Sequence, residues 1–339
     1  MDWDESLNRA AAAGGHPKRK ARWHVWVGFL VAALGLIWVL HDVDFQELAA
    51  RLRLLDWTVV GLAVAFDTSS YLAQGWRWSL LLLPTGRLSS FRATEAIYAG
   101  LFLNEIVPMR LGEVLRGYVV SRRISASATA IASSIVVERI LDGIWMMLAV
   151  GIVTFTITLP NSFLNAEKIL ALVMVVAMVL LVWAAFRRSG HAPSTPLPAD
   201  WTSRLRTLPL RLADELGRTT RSPSLFGAFA ISGIHLALQI LAFWYVIVAY
   251  HIPLSIWQGT AVALIVRLGT MIPGPPSNIG TYQFFTVVGL SLFGVEKTVA
   301  AGFSFVVFFV LTFPLWVVGI VAFLDCGLSL RDFRSRKHQ

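Results

Sequence analysis

The densest group of ionisable residues in an apolar setting is the run Ser133-Ser134-Ile135-Val136-Val137-Glu138-Arg139-Ile140-Leu141-Asp142. On a helix Glu138 and Asp142, at i and i+4, share a face, and two like charges there need a cation. Arg139 can pair with Asp142 at i and i+3, and Arg110 and Arg116 upstream can approach Glu138. Three chemistries fit these residues. They can form an ion-pair network that locks neighbouring elements together, touch a charged substrate directly, or include a carboxylate that carries a proton because burial disfavours the charged form.

Two further stretches place polar residues beside helix breakers. The first contains Asn104-Glu105-Ile106-Val107-Pro108-Met109-Arg110-Leu111-Gly112-Glu113-Val114-Leu115-Arg116, where Pro108 and Gly112 break an apolar run. The second contains Met271-Ile272-Pro273-Gly274-Pro275-Pro276-Ser277-Asn278-Ile279-Gly280-Thr281-Tyr282-Gln283, with Arg267 upstream. Proline lacks the backbone donor and glycine loosens the chain, so neither stretch continues as one helix. Half-helices restarting near Glu113 and Asn278 would point positive N-terminal ends into the apolar layer, where free N–H groups favour an anion such as a lipid phosphate. Arg267 is either a second phosphate ligand or a side chain reaching carbonyls freed by the break. The alternative for both stretches is that they only brace a bundle or line a pore.

These residues are held in a strongly apolar chain. Of 339 residues, 56% are hydrophobic and 14% charged, a balance far from that of a soluble domain. Runs of about 20 apolar residues predict six full transmembrane helices at roughly 23–41, 57–83, 127–157, 167–186, 225–250 and 297–325. The 29 Lys+Arg against 20 Asp+Glu give a formal charge of +9, with the basic residues concentrated beside apolar stretches, as membrane orientation requires. Lys18, Arg19, Lys20 and Arg22 place residues 1–22 in the cytoplasm. Trp23 to Leu40 is too long for a cleaved signal and is retained as the first span.

From that start the topology follows. Arginines flank the stretch at about 91–123 on both sides, so it is expected to be a re-entrant hairpin entering from the cytoplasm. The stretch at about 256–293 has flanks nearly free of Lys and Arg and is expected to enter from outside. A Pro-rich cytoplasmic loop at about 187–224 carries Arg187, Arg188, Arg204, Arg206, Arg211, Arg218 and Arg221, and the basic tail 326–339 is also cytoplasmic. The expected fold is thus an all-α polytopic membrane protein with one transmembrane domain at 23–325, two oppositely oriented hairpins and an inverted repeat. Phe45, Leu48, Ala49, Leu52 and Leu55 recur at helical spacing and predict an amphipathic helix, either interfacial or packed on protein. Arg77, between Trp76 and Trp78, is expected to anchor the second span at the cytoplasmic interface. Asp67, in the same span, has no evident mate.

Several function classes find no support. There is no Gly-rich phosphate loop, no nucleophile elbow and no paired-His metal spacing, and His235 and His251 stand alone. Cys326 is the single cysteine and so forms no intramolecular disulfide. The basic clusters lack the interleaved aromatics and the domain that nucleic-acid binding would use. No cofactor is expected.

At Arg77-Trp78, Asn104 to Arg116, Val137 to Asp142 and Pro273 to Gln283 the chain resembles the lysylphosphatidylglycerol synthase transmembrane-region family, also known as flippase-like integral membrane proteins. The resemblance implies a helical membrane fold with re-entrant segments, a bacterial plasma or inner membrane, and movement of a lipid between leaflets. It implies roles for Arg110, Glu113, Arg116, Glu138, Arg139, Asp142, Asn278 and Gln283. The soluble synthase domain of the bifunctional members is missing, so aminoacyl transfer is not expected. The break here reads Pro273-Gly274-Pro275-Pro276-Ser277-Asn278 before Gly280, where the family more often has Pro-Gly-Gly.

The expected function is therefore a lipid flippase acting on an anionic lipid through a midplane polar site. The substrates the family suggests are phospholipid, polyprenyl-linked and hopanoid-type lipids, and a partner synthase or a second copy are the protein partners it suggests. The rivals are an embedded enzyme acting on a lipid head group, with Glu138 or Asp142 as acid or base, and a non-transporting scaffold for a lipid synthase.

Overall fold

The computed structural model describes residues 23–41, 43–107, 111–124, 126–157, 215–271 and 275–327, which are helical with no strand among them. Outside the described residues lie the basic N-terminus, the expected span at 167–186, most of the Pro-rich loop, the basic tail beyond Gly327, Arg110, and the break residues Pro108, Pro273 and Gly274.

The elements are α1 (Trp23–Leu40), α2 (Phe45–Arg53), α3 (Trp57–Leu82), α4 (Ser90–Ile106), α5 (Gly112–Arg123), α6 (Ala128–Thr156), α7 (Ser224–Ala249), α8 (Ile256–Gly269), a 3-10 turn (Pro276–Asn278), α9 (Thr281–Ser291) and α10 (Lys297–Asp325). Five of the ten described helices begin at a side chain that accepts orphan N–H groups. Asp44, Asp56, Ser89 and Ser127 cap α2, α3, α4 and α6, and Ser255 with Gln258 forms a capping box on α8.

The 26 residues of α3 and the 29 of α6 reach about 39 and 44 Å at 1.5 Å per residue. That is longer than a hydrocarbon core of about 30 Å. Among the described residues, however, only α7 and α10 are both long and apolar enough to cross a membrane by length and composition. For α3 and α6 the difference from the expected apolar spans has a local cause: α3 carries Asp67 and Arg77, and α6 carries Glu138, Arg139 and Asp142.

A small core joins Met146 and Val153 of α6 to Ala261 and Leu264 of α8, and the two larger cores form at opposite ends of the bundle. One joins Trp78, Leu81 and Leu82 of α3 to Ile97 of α4, Val120 of α5 and Phe323 of α10. The other joins Val60 of α3 to Val246 of α7, Val262 of α8, Leu290 of α9 and Phe303 of α10. The half-length pair α4–α5 therefore sits in one core and α8–α9 in the other.

The pairing of helices is reciprocal. The longest interface joins α3 to α7. Otherwise α4 packs on α3, α5 and α10, while α8 packs on α7, α9 and α6. Exchanging α3–α6 in order for α7–α10 turns each of these contacts into another that is present, including α5–α6 into α9–α10 and α6–α7 into α10–α3.

Close backbone approaches set the geometry of both short pairs. Gly100 and Gly112 let α4 and α5 touch, since a Cβ on Gly112 would overlap the Gly100 carbonyl oxygen. The Gly112 N–H donates to Asn104 Oδ1 at 2.7 Å, which ties the start of α5 back to α4. In the other pair Gly280, at φ 87°, abuts the Ala32 carbonyl of α1, a conformation that suits only glycine.

Candidate functional site

A polar stripe runs along α3. Asp67, Ser70, Gln74 and Arg77, spaced by three, four and three residues, are all buried. This helical spacing inside an apolar span is the signal that corrects the position of Arg77. Far from anchoring an interface, its side chain is 0% exposed and faces α6 and α7, while the adjacent Trp76 points outward.

Arg77 is the centre of an ion network. Its Nη2 donates to Glu138 Oε1 at 2.8 Å, and its Nη1 donates to Asp142 Oδ1 and, at 3.2 Å, to Ser232 Oγ. Gln74 Nε2 also donates to Glu138 Oε1, at 3.0 Å. Arg116 on α5 donates from Nη1 to both Glu138 oxygens at 3.2 and 3.1 Å, and its guanidinium lies 4.9 Å from the Trp78 ring centroid. At the outer edge Arg139 donates to Glu113 Oε1 at 2.7 Å and to Asp142 Oδ2 at 3.4 Å. Arg116, Glu138, Arg139, Asp142 and Glu113 are thus brought together with Arg77. Three arginines meet three carboxylates, and the formal charges cancel.

A second polar region lies nearer the middle of α3, around Asp67, ten residues or about 15 Å of helix from Arg77. Here a cavity of about 280 Å³ is lined by Asp67, Glu105, Gln239, Arg267, Asn278 and Thr312, with Tyr71, Ser277 and Tyr282 alongside. Asp67 lies near the middle of α3, Gln239 near the middle of α7 and Thr312 near the middle of α10. Glu105 and Arg267 lie at the C-terminal ends of α4 and α8, and Asn278 precedes α9. The tips of both short pairs therefore meet at the half-height of the long helices.

The cavity is not charge-matched by contact. Arg267 Nη1 donates to Gln239 Oε1, and among the described residues it makes no ion pair. Asp67 is 4% exposed, and its Oδ2 is buried without a hydrogen-bond partner. Glu105 Oε2 accepts from Trp316 Nε1 at 3.2 Å, and the Glu105 carbonyl accepts from Ser277 Oγ at 3.1 Å, so the second tip docks on the first. Ser277 and Asn278 both hold left-handed backbone, φ 57° and 51°, a strained geometry for residues other than glycine.

Gln283 does not face the cavity. It is buried, and its Oε1 accepts from the Gly280 N–H at 2.7 Å, closing the start of α9. Pro275, Pro276 and Gly280 shape the turn that holds Asn278 in place. Neither Asp67 nor Glu105 was assigned a role from the sequence; the α3 stripe would have found the first. Nothing local marks the second, because its partners Trp316 and Ser277 are more than 170 residues away in the chain.

A third cluster ties the far ends of α4, α5 and α10. Glu95 accepts from Arg92 at 2.9 Å and from Arg123 at 2.5 Å, and the Cys326 thiol donates to it at 3.3 Å. Burial, together with the Glu95 carboxylate, pushes the Cys326 thiol up to about 12.

Comparison with known proteins gives one family. The family model described as the lysylphosphatidylglycerol synthase TM region matches residues 25–319. A UPF0104 membrane protein of Methanocaldococcus jannaschii is 24% identical over 208 residues, covering 58% of this chain and 82% of that protein. No solved structure matches the chain.

Proposed function

Because the chain belongs to the family of the lysylphosphatidylglycerol synthase TM region, we propose that it moves an anionic, phosphate-bearing lipid between membrane leaflets, with the head group passing through the cavity at Arg267. In this reading α1, α3, α6, α7 and α10 cross the bilayer. The pair α4–α5 enters from the cytoplasmic face and α8–α9 from the outer face, as inverted repeats. The reciprocal helix pairing supports that arrangement, which in secondary transporters sets the substrate site near the midplane.

The observation that carries the proposal is an arginine without a counter-ion where the two tips meet. A guanidinium at membrane depth costs several kcal/mol unless it is paired or wetted. Among the described residues the Arg267 side chain hydrogen-bonds Gln239 and makes no ion pair, and it lies in the last turn of its own helix. A phosphate entering the cavity would give the guanidinium a counter-ion in direct, bidentate contact. The start of α9, beside Asn278, adds backbone N–H groups of favourable polarity.

The Arg77–Glu138 network has a different part in this scheme. Each of its charges is already met, so it fixes α5 to α6 and α3 and holds the first tip in position. Lipid tails would stay in the bilayer along the exposed apolar faces of α1, α6 and α10, where Leu34, Ile152 and Val321 point outward. The protein acts as a carrier and leaves the lipid chemically unchanged.

Vesicles containing the purified protein and fluorescent phosphatidylglycerol test this by leaflet exchange. The wild type is expected to accelerate exchange well above protein-free vesicles, and Arg267→Gln to lose about 10- to 100-fold, the value of one charge-assisted hydrogen bond of about 1.5–3 kcal/mol. Full exchange by a folded Arg267→Gln protein would refute the site. A chemically altered lipid recovered afterwards would instead mark a head-group enzyme.

A further inference from the structure

We infer that Asp67 is a proton-binding site of the central cavity, and that a proton and the anionic lipid occupy that cavity together. The inference rests on the proposed lipid site and adds the ion that accompanies the lipid.

The carboxylates of the membrane region divide sharply. Glu138 accepts from Arg77, Arg116 and Gln74, and Asp142 accepts from Arg77 and Arg139. Glu113 accepts from Arg139, and Glu105 accepts from Trp316. Asp67 alone among them lines the cavity with an oxygen buried and unpartnered. An ionised carboxylate taken from water with no donor or cation to meet it is a high-energy species, whereas the neutral acid is not.

The groups around Asp67 supply no counter-charge by contact. Its own helix presents Tyr71, α4 presents Tyr98 and Glu105, and α9 presents Tyr282. On α7, Gln239 is engaged with Arg267, and His235 Nδ1 lies 2.8 Å from the Ser70 carbonyl. The face of α10 at the cavity, Phe308, Thr312 and Leu315, has nothing that titrates. Arg267, on α8, is the one cation lining the cavity among the described residues and forms no ion pair with Asp67.

Charge counting then links the two ligands. With Asp67 and Glu105 both ionised, Arg267 leaves the cavity at a formal −1, and a phosphodiester makes it −2. A proton on Asp67 removes one of those charges, so each ligand favours the other's binding, and by linkage the effect is reciprocal. Because Asp67 faces the cavity, its proton can exchange through the same water that admits the head group. Neutral pairs of proton and lipid anion would then cross together, which gives a proton gradient purchase on lipid movement.

Calorimetric titration of the detergent-purified full chain with dioctanoyl phosphatidylglycerol tests this, since that phosphodiester keeps its charge throughout. Titrations from about pH 5 to 8, in buffers of differing ionisation enthalpy, read proton uptake directly. The expected wild-type result is uptake of up to about one proton per lipid, with affinity falling by up to about tenfold per pH unit where Asp67 ionises. Asp67→Asn is expected to bind without proton uptake and without that pH dependence, while Asp67→Glu retains both.

Wild-type binding with no proton uptake at any pH, or uptake that persists in Asp67→Asn, would overturn the inference and leave the lipid site standing. No binding by the wild type would overturn the site beneath it. Inorganic phosphate as competitor separates the sources of the anion: displacement means phosphate alone suffices, and no displacement means the ligand is the lipid.

Discussion

Arg77 and Arg267 are the same residue type in one bundle, and their surroundings give them different tasks. Arg77 is held by two carboxylates in a balanced cluster. Replacing Glu138 by Gln would leave Arg77 and Arg116 short of a counter-charge, and removing one partner of a buried pair costs about 3–5 kcal/mol. Denaturation in detergent should therefore show Glu138→Gln strongly destabilised. Glu113→Gln, whose pair with Arg139 is 35% and 50% exposed, should change stability by less than about 1 kcal/mol. A similar loss for both would contradict a buried network centred on Glu138. At the far ends of α4 and α10, burial and Glu95 keep the Cys326 thiol protonated at pH 8. Maleimide, which reacts with the thiolate, should label it slowly. In Glu95→Gln the thiol loses the charge that opposes its ionisation, so labelling should speed up, and an unchanged rate would argue against that contact. At this scale the sequence made Glu138 and Asp142 legible through their i, i+4 spacing. It misled at Arg77, because two flanking tryptophans resemble an interfacial anchor while the polar residues three and seven positions earlier mark a buried face.

The elements were legible where local chemistry decides them. α4 ends at Ile106 and α5 begins at Gly112, and α8 ends at Gly269 before α9 begins at Thr281, at the two Pro- and Gly-rich runs. Helix caps and breaker positions are short-range properties. The docking of the two tips is not, because Ser277 reaching the Glu105 carbonyl spans 172 residues of the chain and leaves no local pattern. Two glycine substitutions test the close approaches. Gly294→Ala has positive φ but open space around its Cβ, and should cost about 1–2 kcal/mol. Gly280→Ala also has a positive φ and in addition meets the Ala32 carbonyl, so it should be the more destabilised when their melting temperatures are compared. Equal losses would mean that α1 does not press on the turn before α9.

At the scale of the molecule, two cores occupy opposite ends of the bundle and a polar cavity separates them, at the half-height of α3, α7 and α10. Composition and hydropathy disclosed a helical membrane protein, and the motif order disclosed its family. The cavity itself was beyond local reading, since its lining comes from six helices and the 3-10 turn, between Asp67 and Leu315. The central claim is that a lipid phosphate binds there and not at the Arg77–Glu138 cluster. The most direct measurement is an experimental structure of the protein in a lipid nanodisc with an anionic phospholipid bound. The account predicts phosphate density within about 3 Å of the Arg267 guanidinium, between the tips of the two short helix pairs. Phosphate found only at the bilayer surface, or inserted among Arg77, Arg116 and Glu138, would contradict it.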